Sequence, residues 1–404
     1  MAPEASASTN SATWASRADR RRPSLVARRI AAPHRLSTES VPLCGAACQV
    51  AGETDSALDE TGCLPLSRGT NSCISTGAGR RRDRMEKTVA VIGGSGFIGR
   101  AIVEKLSGKG ARVIVLCRNA EKAKYLKTMG VVGQVTLVAG NALNDDDLET
   151  VIAPADAVIN LIGILAEGGS QRFGALQGEL PGRIGALAAS HGTGDVVHVS
   201  AIGADANSPS KYARSKAQGE AGLRAAFPKA VILRPSIVFG PRDSFFNRFA
   251  GMAMLAPGLP LPGGGRMKMQ PVYVGDVVEA VMVALGYRAA PKAVAKAVRG
   301  GTFELGGPDV YSFRDLMSIT LRAIGRRRML LPVPLPLMSF GAVFAGMLPN
   351  PPLTVDQVRL LAIDNVVGYD AKSLADLGIT ATPVSAILPD YMGCYRPGGQ
   401  FSKR

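Results

Sequence analysis

The chain has 404 residues, 46% hydrophobic and 5% aromatic, and a net charge of +15 at pH 7. That length supports one large domain with an appendage, or two domains. The basic surplus favours anionic cofactors, acidic proteins or anionic lipid surfaces, whereas no nucleic-acid motif and no basic stripe interleaved with aromatics points to nucleic acid.

Residues 1–84 hold 12 Arg, no Lys and 8 acidic residues, hence +4, which leaves +11 on the remainder. They are rich in Ser, Ala, Arg and Thr, with no sustained period, and read as a disordered extension. Two origins stay open. An Arg- and Ser-rich, acid-poor start fits an organelle transit peptide, with no secretory apolar region. Met85, directly before the first strand, equally fits an over-long gene start. Four of the six cysteines (Cys44, Cys48, Cys63, Cys73) fall here, and only Cys117 and Cys394 follow. The later part therefore has no disulfide framework and suits a reducing compartment. No second ligand pair with zinc spacing follows Cys44 and Cys48, and no metal is expected.

From Met85 strands alternate with helices. The spacing predicts strands at Val89–Ile92, Arg112–Leu116, Val135–Ala139, Ala157–Ile162, Val196–Ser200 and Ala230–Leu233. Between them it predicts helices over 97–107, 120–129, 145–152, 172–190 and 211–226. This is α/β, a doubly wound parallel sheet of the Rossmann type, with right-handed crossovers. We divide the chain into a dinucleotide-binding core, 85–235, and a smaller irregular C-terminal region, 236–404, over the carboxyl edge of the sheet. In that region 245–255 and 277–286 read as helices and 257–265 as a Pro/Gly loop. Residues 303–305 read as a short strand, and 312–324 as a helix capped by Ser312. Met329–Leu348 carries no charge across 20 residues and follows Arg326, Arg327 and Arg328. Its length would span a bilayer, but Pro332, Pro334 and Pro336 oppose a spanning helix. A buried or partner-facing segment, or peripheral contact with an anionic membrane, is the better reading.

The most informative stretch is TVAVIGGSGFIGR, residues 88–100. Gly93, Gly96 and Gly99 stand in the spacing G-x-x-G-x-x-G between a strand and a helix. The first glycine allows a tight turn, the second lets backbone approach a pyrophosphate, and the third lets the helix pack close to the strand. Ser95, Phe97, Ile98 and Arg100 belong to the same cradle, at a helix N-terminus that favours anions. Arg118 stands 25 residues after Gly93, where a dinucleotide fold meets the adenosine ribose. An acidic residue there would bind a 2′-hydroxyl; Arg118, joined by Arg100, suits a 2′-phosphate, so NADP(H) is expected over NAD(H). Asn141 is placed at the adenine, and Asn160 and Gly163 at the cofactor channel. Tyr212 and Lys216 form a Y-x-x-x-K pair, one helical turn apart on one face. An ammonium beside the phenol would lower its pKa towards a useful acid/base, and Lys216 is also placed to hold a nicotinamide ribose. Ser200, 12 residues before Tyr212, is placed to orient a substrate carbonyl. His198 reads as a packed core residue and His191 as a helix C-cap.

The segments GGSGFIG, NLIG, HVSAIGAD, YARSK, LRPSIVFGP and QPVYVGDVVEAV together resemble the short-chain dehydrogenase/reductase superfamily in its extended or atypical branch, over about residues 87–395. Within it, SPSKYARSKAQGE, FFNRFA, ELGGPDVYSFRDLM and LPNPPLTVDQ resemble the NAD(P)H-binding accessory subunits of respiratory complex I and their bacterial relatives. That resemblance implies a tightly held NADPH, a peripheral place on the complex near the membrane, and a mainly structural role. Partners would be complex I or ubiquinone-related membrane proteins. The location would be the mitochondrial matrix if 1–84 is a transit peptide, and the cytoplasmic face of the inner membrane in a bacterium. One departure is Gly140-Asn141, where many extended members carry Gly-Asp. Ser200, Tyr212 and Lys216 keep a second expectation open, an NADPH-dependent oxidoreductase or epimerase acting on a small carbonyl substrate.

Overall fold

A computed structural model describes residues 87–288, 294, 297–345 and 354–399. The extension over 1–84 and the end of the uncharged stretch lie outside the described residues.

Strand β1 (Thr88–Ile92) is the hub. It pairs in parallel with β2 (Arg112–Cys117) on one side and β4 (Ala157–Asn160) on the other. Outward from these lie β3 (Val135–Ala139), β5 (Asp195–Val199) and β6 (Val231–Pro235), all parallel. The seventh strand, Thr302–Leu305, comes from beyond residue 236 and pairs in parallel with β6. The order is therefore Thr302–Leu305, β6, β5, β4, β1, β2, β3, a doubly wound sheet.

The period of two along β1 sends Val89 and Val91 to one layer, Ala90 and Ile92 to the other. The first layer is closed by helix α1 (Phe97–Gly108), through Ile102, Val103 and Leu106. The second is closed by α2 (Asp145–Ile152), α3 (Leu180–Ser190) and α4 (Lys211–Ala226), through Leu148, Ile184 and Leu223. Each fully buried leucine of this kind contributes roughly 1.5–3 kcal/mol. Asn144 starts α2 by accepting the Asp146 N–H at 3.0 Å, and three aspartates complement its dipole. Helix α4 approaches closely at Gly219, where a Cβ would lie 1.9 Å from the Gln177 carbonyl oxygen just before α3 and 2.9 Å from Pro181 Cγ within it. His191 caps α3, as expected.

The rest of the chain adds a third apolar cluster. Helix α5 (Phe246–Leu255) and strand β8 (Gly258–Pro262), which follows the two-residue β7 (Val238–Phe239), contribute to it. Short strands β9 (Lys268–Met269) and β10 (Val272–Tyr273) lead to α6 (Val274–Ala284), which joins α1 in the first layer. The seventh sheet strand is β11 in this numbering, and β12 is Tyr311–Ser312. Then come α7 (Phe313–Ala323), β13 (Met329–Val333), α8 (Leu335–Ala345), α9 (Val355–Leu360) and α10 (Val384–Met392). Ser312 caps α7 in a reciprocal capping box with Asp315.

Several expectations are corrected. Residues 120–129 hold no α-helix: Asn119 takes the Lys122 N–H into a side-chain turn, and only a 3₁₀ helix, Lys124–Met129, follows. The strand expected to Ile162 stops at Asn160, whose side-chain oxygen accepts the Ile162 N–H at 3.1 Å and turns the chain. The helix expected from 172 starts as a π-helix, Gly174–Glu179. The segment 257–265 holds β8, paired in parallel with β13, because Leu259 and Leu261 are buried. The uncharged stretch from Met329 is therefore strand then helix, and no helix among the described residues is long and apolar enough to cross a membrane.

Candidate dinucleotide site

The glycine turn is built by backbone. Gly93 has φ of +85° and donates its N–H to the Leu116 carbonyl at 3.3 Å, which ties the turn to the end of β2. A Cβ on Gly94 would meet Val115 Cγ1 at 2.8 Å. One on Gly99 would sit 2.6 Å from Gly94 Cα and 2.7 Å from the Gly93 oxygen. The first turn of α1 thus rests on the loop itself rather than directly on the strand. Gly96 occupies the N-cap without a side-chain cap, and no acidic residue stands in the first turn. Ser95 and Gly96 are exposed, while Phe97 and Ile98 are half-buried. The cradle offers helix N–H groups and a positive dipole end to an anion.

Beside the turn, the Arg100 guanidinium lies over the Tyr125 ring, 4.5 Å from its centroid. The Tyr125 hydroxyl donates to the Ser95 carbonyl at 2.9 Å. Arg118 is exposed just past β2. Asn141 donates its backbone N–H to Asp147 at 2.8 Å and accepts the Leu143 N–H on its side chain at 3.1 Å. That local turn fixes Asn141 at the end of β3 with its side-chain oxygen already engaged.

The other end is built by buried side chains. Asn160 and His198 face each other in register across β4 and β5. Ser200 follows β5 and donates its backbone N–H to Leu233 at 2.7 Å. The Asn160 amide nitrogen, both His198 ring nitrogens and the Ser200 hydroxyl are buried without a hydrogen-bond partner among the described residues. Lys216 reaches in from α4, with Nζ 3.4 Å from the Val199 carbonyl. Gly163 lies beside it: a Cβ there would stand 3.4 Å from that same Nζ, an ordinary contact. Burial lowers Lys216 to about 8, partly opposed by Glu220. Burial, then the Lys216 charge, lowers His198 to about 3. Tyr212 packs edge-on against Phe173, 5.9 Å between centroids, and burial pushes its phenol up to about 12. The expected depression of this phenol by Lys216 is thus replaced by the cost of desolvating a phenolate.

The expected residues therefore fall into two groups, Gly93 to Arg100 with Arg118 and Asn141, and Asn160, Gly163, Ser200, Tyr212 and Lys216. Tyr125, Gln177 and Asp356 escaped the sequence reading. Gln177 donates to the Ile164 carbonyl at 2.7 Å and accepts from Ser215, joining the loop after β4 to α4. Asp356 accepts from the Ser210 hydroxyl at 2.8 Å and from the Lys211 and Tyr212 N–H groups at 2.9 and 3.1 Å. A carboxylate from 146 residues downstream of Ser210 thus caps the helix that carries Tyr212 and Lys216. A Thr354–Gln357 capping box marks the start of α9, but no sequence signal gives its docking place.

Both groups suit a dinucleotide: a tight turn in which a Cβ at Gly94 or Gly99 would clash, and buried donors beyond it with no partner among the described residues. The comparisons agree. Residues 89–295 match the NAD dependent epimerase/dehydratase family. The chain is 31% identical to NADH dehydrogenase [ubiquinone] 1 alpha subcomplex subunit 9, mitochondrial, of Arabidopsis thaliana, over 82% of this chain and 84% of that protein. It is 33% identical to the Mus musculus protein of the same name, over 78% and 82%. The UDP-glucuronic acid 4-epimerase of Bacillus cereus, solved in complex with NAD, shares the fold at 18% identity and a TM-score of 0.52, over 68% and 99%. With the glycine cradle, the parallel sheet and the matched span in agreement, this chain belongs to the NAD dependent epimerase/dehydratase family.

Proposed function

We propose that this protein is an NAD(P)H-binding, short-chain dehydrogenase/reductase-like accessory or assembly subunit of respiratory complex I or a ubiquinone-related membrane complex. The observation that carries this reading is the two-way coverage of relatives named as complex I subunits, above four-fifths of both chains for the plant protein. The residues at the site support cofactor retention. Gly93, Ser95, Gly96, Phe97, Ile98 and Gly99 hold the diphosphate; Asn141 meets the adenine; Asn160, Gly163, Tyr212 and Lys216 receive the nicotinamide riboside. Arg118 and Arg100, with no carboxylate partner among the described residues, favour NADP(H) over NAD(H). Purification from source membranes tests the reading. Co-migration with complex I subunits and one extractable NADPH per chain is the expected result; a free protein without nucleotide overturns it. Arg118→Asp should weaken NADPH by about tenfold and leave NADH within about twofold, consistent with loss of one charge-assisted contact. Equal loss of both in calorimetry would remove the phosphate contact.

A second reading has its own observation. Lys216 Nζ bonds the carbonyl of Val199, the residue before Ser200, and Tyr212 stands one turn before Lys216 on the same helix. When bound, the nicotinamide supplies or accepts hydride. Ser200 would then hold a substrate carbonyl oxygen, Tyr212, protonated at neutral pH, would deliver its proton, and Lys216 would position the ribose. Tyr212→Phe should abolish NADPH-dependent turnover of a small carbonyl compound and leave NADPH affinity within about twofold. Turnover that survives this change sinks the assignment.

A further inference from the structure

We infer that Tyr125 is a specificity-determining positioning residue, which holds the Arg100 guanidinium beside the glycine turn as a receptor for a 2′-phosphate. Arginine carries roughly 2 kcal/mol of rotamer entropy, and much of it is lost when a flexible side chain must be fixed on binding. Here it is fixed beforehand. The guanidinium lies over the Tyr125 ring at 4.5 Å, close enough for a cation–π contact. The ring cannot swing freely, because its hydroxyl donates to the Ser95 carbonyl at 2.9 Å. Ser95 belongs to the turn, so the ring, the guanidinium and the phosphate cradle form one unit.

The chemistry of the contact matters. A cation–π contact is made to the ring and consumes none of the guanidinium's hydrogen-bond donors, which stay available to a second partner. The Arg100 side chain makes no ion pair and donates no hydrogen bond to another described residue. A preorganised fork of this kind matches a phosphate monoester, and a ribose hydroxyl offers it much less. Tyr125 comes from the 3₁₀ helix Lys124–Met129 and Arg100 from the first turns of α1, so two separate elements meet at the turn. This inference rests on the NADP(H) reading above and gives it a device.

Calorimetry on the full chain with NADPH, NADH, 2′-AMP and 5′-AMP tests it. Tyr125→Leu should raise the Kd for NADPH and 2′-AMP by about tenfold, within the range of a cation–π contact, and leave NADH and 5′-AMP within about twofold. Tyr125→Phe, which keeps the ring and loses the tether, should fall between. In an Arg100→Ala background Tyr125→Leu should cost NADPH nothing more, because the two act through one contact. Equal weakening of NADPH and NADH, or additive losses in the double variant, would make Tyr125 a mere support of the turn and overturn the inference. The two failures separate cleanly. An unaltered protein with equal affinity for NADPH and NADH defeats the NADP(H) reading and the role of Tyr125 with it. A strong preference that survives Tyr125→Leu defeats the role of Tyr125 alone.

Discussion

The two groups of candidate site residues differ in how they meet the demands of folding. At residues 93–100 backbone makes the candidate site, and the glycines that would admit an anion also let α1 rest on the loop before it. At residues 160–216 side chains make it, and several buried polar atoms have no partner among the described residues. Leaving a buried polar group unsatisfied costs about 1–3 kcal/mol, so a ligand that met these groups would offset a cost that folding alone incurs. One group therefore couples binding to stability with the same sign, and the other with opposite signs.

The first way to break this comparison is Gly99→Val. Its Cβ would fall 2.6 Å from Gly94 Cα, a backbone atom that cannot move aside. The turn must open, at a cost above about 3 kcal/mol, with dinucleotide affinity lost in parallel. A fall in Tm without a change in NADPH affinity would separate the two properties and refute the coupling.

Lys216→Met should act in the opposite sense. Lys216 falls from 10.5 to about 8 on folding, so the charged form is disfavoured in the native state. The unfolded chain then binds more protons between pH 8 and 10.5, and the stability of the wild-type protein rises with pH across that window. At pH 7 the variant should be more stable by up to about 3 kcal/mol, a gain that shrinks towards pH 10.5, while nucleotide affinity falls. Urea unfolding at pH 7 and 10 reads both.

The smallest effect belongs to His198→Leu. His198, normally near 6.5, is held at about 3, so the native protein needs it neutral. Its contribution is present above pH 6.5 and is lost as pH falls from there towards 3. The wild-type protein should lose about 2 kcal/mol more than the variant between pH 7 and pH 5. Parallel unfolding curves at the two pH values would show that the imidazole is not sealed from water.

Much of this was legible in local pattern. The period of two in Thr88–Ile92, the glycines at 93, 96 and 99, and the capping box at Ser312–Asp315 each rest on neighbours within a few residues. Local rules failed where a local alternative competed. Asn119 and Asn160 each turned the chain with a side-chain oxygen, one breaking an expected helix and one ending a strand early. The Pro/Gly stretch at 257–265 became strand only because β13, some 70 residues later, lies beside it.

The sequence by itself determined the strand–turn–helix at residues 88–108, since glycine conformational freedom, apolar alternation and helix spacing act over a few bonds. Tertiary structure alone decided that Tyr125 would lie under Arg100, that Asp356 would cap the helix bearing Tyr212, and that His198 and Lys216 would share a dry interior. Those outcomes depend on which surfaces meet in three dimensions and on how much water is excluded there. Neither is encoded in the spacing of residues along the chain.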